Sequence, residues 1–115
     1  MNRAALRDRY MRDSLPVRLG GLAANLARVE SFSDHPDHGD VVERLVEESK
    51  FFIEWTAPHA GVDQQVDLVR LQLLLAGWHH RWRQIWADPE QRRVMADRAA
   101  EWSRQVLAMS GLLGR

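Results

Sequence analysis

The chain has no cysteine. Disulfides, thiolate nucleophiles, Cys-type zinc sites and iron–sulfur clusters are therefore excluded. It also lacks a long apolar run. The longest, LVRLQLLLAGW, is interrupted by Arg70 and Gln72 and is too short to span a bilayer. The opening MNRAALRDRY has no apolar h-region, so it does not read as a secretory signal. These absences together lead to the expectation of a cytoplasmic protein without a membrane span. No Gly-rich phosphate loop, no nucleophile elbow and no inward Glu-x-x-His pair occurs. Glu47 and Glu48 are neighbours, about 100° apart on a helix, and do not converge as a dyad. Ser49 beside Lys50 makes no catalytic constellation. The expectation is that the protein is not an enzyme and carries no cofactor.

Net charge is absent too, with 16 Lys+Arg against 16 Asp+Glu, but the charges are unevenly spread. Both ends are basic and the stretch from Glu30 to Asp67 is acidic. Either an acidic helix packs beside basic ones, or the charged faces dock a protein partner. Arginine far outnumbers lysine, a bias that a GC-rich genome would also produce. The arginines at 3, 7, 9 and 12 could meet a phosphate backbone, but the neutral total and acidic middle argue against nucleic acid.

What is present is helical periodicity. A chain of 115 residues with 45% hydrophobic content fits one domain with a modest core. Leu15, Leu19, Leu22, Leu26 and Val29 step by four and three along a first helix, with Asp13 or Ser14 as its cap and Pro16 in its first turn. Gly20 and Gly21 lie inside it, which implies close packing by another element in preference to a kink. Ser31 to Asp40 reads as a loop. Asp40, with Glu43 three residues on, reads as the N-cap of a second helix ending at Trp55 or Thr56. A third helix is predicted over Asp63 to Ala87. Asp88-Pro89 caps a fourth, and Gly111 ends it with Leu112 as hydrophobic follower. The predicted fold is all-α: an antiparallel up-down four-helix bundle over 14–115, with residues 1–13 as a basic arm or short helix.

The third helix is apolar on two sides. Leu68, Leu71, Leu75, Trp78, Trp82, Ile85 and Trp86 form one stripe. Val62, Val66, Val69, Leu73, Ala76 and His80 form another, roughly opposite. A helix apolar on two faces is buried on two faces, either within the monomer or against another chain. The expected interaction residues are Val66, Val69, Leu73, Ala76 and His80, with a homodimer as the expected assembly. The N-terminal segment, through Leu6, Tyr10 and Met11, is the rival cover for that face.

The stretch WHHRWRQIW poses a separate question. Trp78, Trp82 and Trp86 continue the first stripe and read as core, with one indole N–H reaching the rim. His79 and His80 are candidate ligands for haem or another pigment's metal. In the loop DHPDHGD, His35 and His38 lie among aspartates and are candidate metal ligands, but their spacing fits no closed zinc or calcium site. No metal is assigned.

The runs ESKFFIEWTAP, LVRLQLLLAGWHHRWRQIWADPEQR and EWSRQVLAMSGLL resemble small conserved cyanobacterial proteins of unknown function. The similarity covers about Val29 to Leu113 and lies in helical pattern and aromatic placement. It implies an accessory role near photosynthetic machinery, and brings no activity or site residues. The function expected from the residues is a non-catalytic interaction or accessory module that self-associates through the third helix. The alternative is a pigment-, haem- or metal-binding bundle using His79 or His80.

Overall fold

Six α-helices account for nearly all of the chain in the computed structural model, which describes residues 2–113. No strand occurs among the described residues. Met1, Gly114 and Arg115, at the outer ends of the two expected segments, lie outside them. The helices are α1 (Arg3–Met11), α2 (Leu15–Phe32), α3 (Gly39–Thr56), α4 (Val62–His80), α5 (Trp82–Ala87) and α6 (Pro89–Ser110). α2 packs along α6 and against α3. α3 packs on α4, and α5 on α6.

The N-terminal segment is a helix. Its Asn2 side chain accepts the Ala5 N–H at 2.8 Å, a regular N-cap. Nine residues are too few to hold a helix alone, so tertiary contacts must hold it. Tyr10 is its one buried residue and stacks on Phe52 with ring centroids 4.0 Å apart. Arg3 lies over the Phe51 ring at 4.1 Å. α1 thus leans on α3, and Leu6 and Met11 are packed against the core.

α2 and α6 approach closely because their facing residues are small. Ala23, Ala96, Ala99 and Ala100 are buried, and Ser103 Oγ donates to the Ala23 carbonyl at 2.7 Å. Gly20 belongs to the same logic. A Cβ there would lie 2.6 Å from Leu112 Cδ1, so the glycine leaves space for the tip of this half-exposed side chain. Asp88 caps α6, accepting from Glu90 N–H at 2.9 Å and Gln91 N–H at 3.4 Å. Gly111 ends it at φ 78°, a left-handed conformation that glycine adopts without steric cost.

Two sequence expectations require correction. The predicted third helix is divided: Arg81, at φ −102° and ψ 25°, separates α4 from α5. The break comes four residues after Gly77, whose carbonyl accepts the Arg81 N–H at 3.1 Å. Glycine is a recurrent weak point in long helices. Asp40 is not an N-cap. A 3₁₀ turn, Pro36–His38, runs directly into α3, and His38 occupies the cap position. The cause is Trp86. Its Nε1 donates to the Pro36 carbonyl at 2.8 Å, and its ring lies where a Cβ on residue 39 would go, 2.8 Å from Nε1. Gly39 therefore enters the helix early, at φ −54° and ψ −45°. Asp40 retains only a favourable place in the first turn. Asp40→Ala is expected to shift unfolding free energy by no more than about 0.5 kcal/mol, as for most surface changes. Urea denaturation checks this, and a loss near 1 kcal/mol would restore the capping role.

Candidate functional site

α4 places its two stripes on opposite sides. Leu68, Leu71, Leu75 and Trp78 are buried and face the other helices. On the other side Val62 is 77% exposed, Val66 48%, Val69 54% and Leu73 70%. The helix offers four large aliphatic side chains to the outside over three turns. The expected stripe also included Ala76 and His80. Ala76 is half-buried and His80 is exposed at the helix end.

The two flanks of this face differ. On the side toward α3, the polar residues are already engaged. Gln65 Nε2 donates to the carbonyls of Ala57 and Ala60 at 3.0 and 3.1 Å. Gln72 Nε2 donates to the Lys50 carbonyl at 3.2 Å. His79 sits between Lys50 Nζ, 3.3 Å from its Nδ1, and Glu43 Oε2, 3.7 Å from its Nε2. The other flank is open. Asp63 is exposed there, and so is Arg70, whose guanidinium lies 3.9 Å from the Asp67 carboxylate. Gly77 also lies on this flank. A Cβ on it would meet nothing nearer than Arg81 Nη2, at 4.0 Å, so no packing within the monomer calls for a glycine.

α1 does not cover the face. Tyr10 is held elsewhere: its hydroxyl donates to the Arg18 carbonyl at 2.7 Å and is 3.0 Å from Thr56 Oγ1. The rival fold-back of Leu6, Tyr10 and Met11 over α4 is therefore not what the structure has. The reason is aromatic. Phe52 and Trp55 on α3 provide a stacking partner for Tyr10 that aliphatic α4 cannot.

His35 and His38 share the turn before α3, while His79 and His80 lie at the end of α4. His35 Nδ1 accepts the Asp37 N–H at 3.2 Å, and His38 Nδ1 donates to the Phe32 carbonyl at 2.9 Å. Their rings lie 5.2 Å apart. His79 belongs to the α3–α4 contact just described. No group of three His, Asp or Glu side chains converges among the described residues. Ser49 Oγ is committed to the Leu45 carbonyl at 2.7 Å. A cleft of about 540 Å³ lies between α1, α2 and α3. Three of its polar residues bond to one another: Asn25 Nδ2 donates to Glu48 Oε1 at 3.0 Å, and Arg28 Nη1 to Asn25 Oδ1 at 2.8 Å; Arg9 and Asp13 line it as well.

Sequence reasoning missed the buried polar residues. Arg18 is buried on α2, with Nη1 3.3 Å from both Met11 Sδ and His59 Nδ1. Asn25 and Thr56 are buried as well. Only their positions on apolar stripes could have signalled it. The WHHRWRQIW stretch divides as expected. Trp78 and Trp82 are core, while Trp86 stacks on Trp82 at 5.4 Å and sends its N–H to the rim.

No family model matches the chain, and neither a curated protein nor a solved structure is detectably similar to it. The cyanobacterial resemblance therefore carries no more than a small all-helical character. No helix among the described residues is long and apolar enough to cross a membrane.

Proposed function

We propose that the protein is a non-catalytic interaction module that associates with itself through the outer face of α4. The exposure of Val62, Val66, Val69 and Leu73 in one row carries this reading. Scattered apolar residues are normal on a protein surface, but a contiguous patch of them marks an interaction site. The interior stripe already gives α4 its anchorage, so the outer stripe adds nothing to the monomer's core. In this reading α2, α3, α4 and α6 act as an up-down four-helix unit that presents α4. The pigment, haem or metal alternative, using His79 or His80, draws less support: both ring nitrogens of His79 already face Lys50 and Glu43, and His80 is exposed at the end of α4 in no group of three candidate ligands among the described residues.

Analytical ultracentrifugation tests the proposal. The full chain is expected to sediment as a dimer, and Leu73→Glu as a monomer. The variant should keep its helical circular dichroism and melt within a few degrees of the parent, because Leu73 is exposed in the monomer. A full chain that stays monomeric at high micromolar concentration would overturn the proposal. So would a Leu73→Glu protein that remains dimeric.

A further inference from the structure

The outer face of α4 has a charge pattern that selects one arrangement of two copies. Val62, Val66, Val69, Leu73, Ala76 and His80 step by four and three throughout. That is the spacing of the a and d positions of a coiled coil, with Val66, Leu73 and His80 at a and Val62, Val69 and Ala76 at d. The residues beside the seam then follow. Asp63 and Arg70 occupy the two flanking positions on the open side, two turns apart. Gln65 and Gln72 occupy those on the α3 side, where each already donates to a backbone carbonyl.

We infer that two copies pair α4 against α4 in antiparallel fashion, with Val66 opposite Val69 of the partner subunit and Asp63 opposite the partner's Arg70. The inference rests on the self-association proposed above and adds its geometry. A two-fold axis relates the copies, so each contact occurs twice, as in any isologous interface. Val62 then meets the partner's Leu73, and the four exposed aliphatics are consumed in four layers. Asp63 and Arg70 form two opposite-charge pairs on the open flanks.

Other arrangements lose this complementarity. An antiparallel pair shifted by one heptad brings Arg70 against the partner's Arg70 in one direction. In the other direction it brings Asp63 against the partner's Asp63. Each shift also leaves part of the aliphatic row unmatched. In a parallel pair, the flanking residues of opposite sides meet. Arg70 then faces glutamine, and no opposite-charge pair forms. Like charges at such positions set partner choice and orientation in helix pairs. Ala76 and Gly77 fit the chosen register. They face the partner beyond Val62, where its helix gives way to Gly61, and their small size lets the chains pass.

Charge reversal tests the register. Asp63 and Arg70 are exposed, so the variants should fold as the parent does. Asp63→Arg and Arg70→Asp are each expected to weaken the dimer about tenfold, since two attractive surface pairs become two repulsive ones. The double variant should return to within about twofold of the parent. A second measurement uses the lack of native cysteine. Val66→Cys and Val69→Cys proteins, mixed and oxidised, should form the mixed disulfide in preference to either homodimer. Homodimeric cross-links, or single reversals that dimerise like the parent, would overturn the register while leaving self-association intact. A monomeric parent would overturn both.

Discussion

Trp78→Ala is expected to lower the unfolding free energy by roughly 3–5 kcal/mol, the range for truncating a buried large aromatic. Trp78 is 4% exposed and closes the interior stripe of α4 after three fully buried leucines. Its ring also lines a cleft of about 330 Å³ with Ile85, Val94 and Met95. The void left by truncation opens into that cleft, so water can enter and the cost should fall in the lower half of the range. Trp86→Ala should cost less. Its ring is half-buried, and its losses are the stack on Trp82, the hydrogen bond to the Pro36 carbonyl and the contact over Gly39. Urea denaturation of both variants, with equal m-values, gives the comparison. A Trp78→Ala protein within about 1 kcal/mol of the parent would show that this indole is not a core element.

The tryptophan helix was legible because nothing in it conflicts with hydrophobic periodicity. Indoles at four-residue steps continue a leucine stripe, and the structure buries Trp78 and Trp82 with it, while Trp86 is half-buried on α5, beyond the break at Arg81. The outer aliphatic stripe was legible for the same reason, since periodicity is indifferent to whether a face meets its own chain or water. Periodicity fails where a polar residue is buried with its needs met. Ser49 and Thr56 complete the α3 stripe of Val42, Val46 and Ile53. Ser49 bonds within its own helix, to the Leu45 carbonyl, and Thr56 across the fold, to the Tyr10 hydroxyl; neither hydroxyl is a hydrophobic marker. Hydrophobicity alone would place Leu45 and Val41 in the core too, yet Leu45 is half-buried and Val41 is exposed. Arg18 is less visible still, because its burial depends on α1 and the turn at His59 arriving from elsewhere in the sequence. Helix boundaries were lost to tertiary contacts in the same way. Asp40 has the chemistry of a cap, but a tryptophan some 46 positions along the chain moves the start of α3. A local motif cannot register that contact. The direction of pairing inferred for α4 is a different case, because it rests on Asp63 and Arg70, which look like ordinary surface charges until the flank they share is seen to face away from α3.

The chain's stability is expected to fall as pH rises from 10 to about 12, and Tyr10 is the reason. This tyrosine is buried between α1 and α3, and burial pushes its pKa up from 10.0 to about 12. The Thr56 hydroxyl and the Arg18 charge pull the other way without offsetting that burial. Ionisation is opposed because a phenolate would lose its water, and the hydroxyl would lose the proton it donates to the Arg18 carbonyl. The folded chain therefore holds this proton when the unfolded chain has released it. Stability from Tyr10 is complete below the unfolded value near 10, and drains away as pH rises through the folded value near 12. A shift of two pKa units corresponds to about 3 kcal/mol as an upper figure. Tyr10 is the chain's one tyrosine, so ultraviolet titration of the phenolate reports this group alone. The titration should coincide with loss of α1, since Tyr10 is the only buried residue that helix has. Tyr10→Phe isolates this effect from any other contribution to alkaline unfolding. The Phe variant keeps the stack on Phe52, and the difference in its stability from the parent should change across that window in the sense of parental loss. A tyrosine that titrates at its ordinary value, with α1 still in place, would show that Tyr10 is not the group that fastens α1 to the rest of the fold.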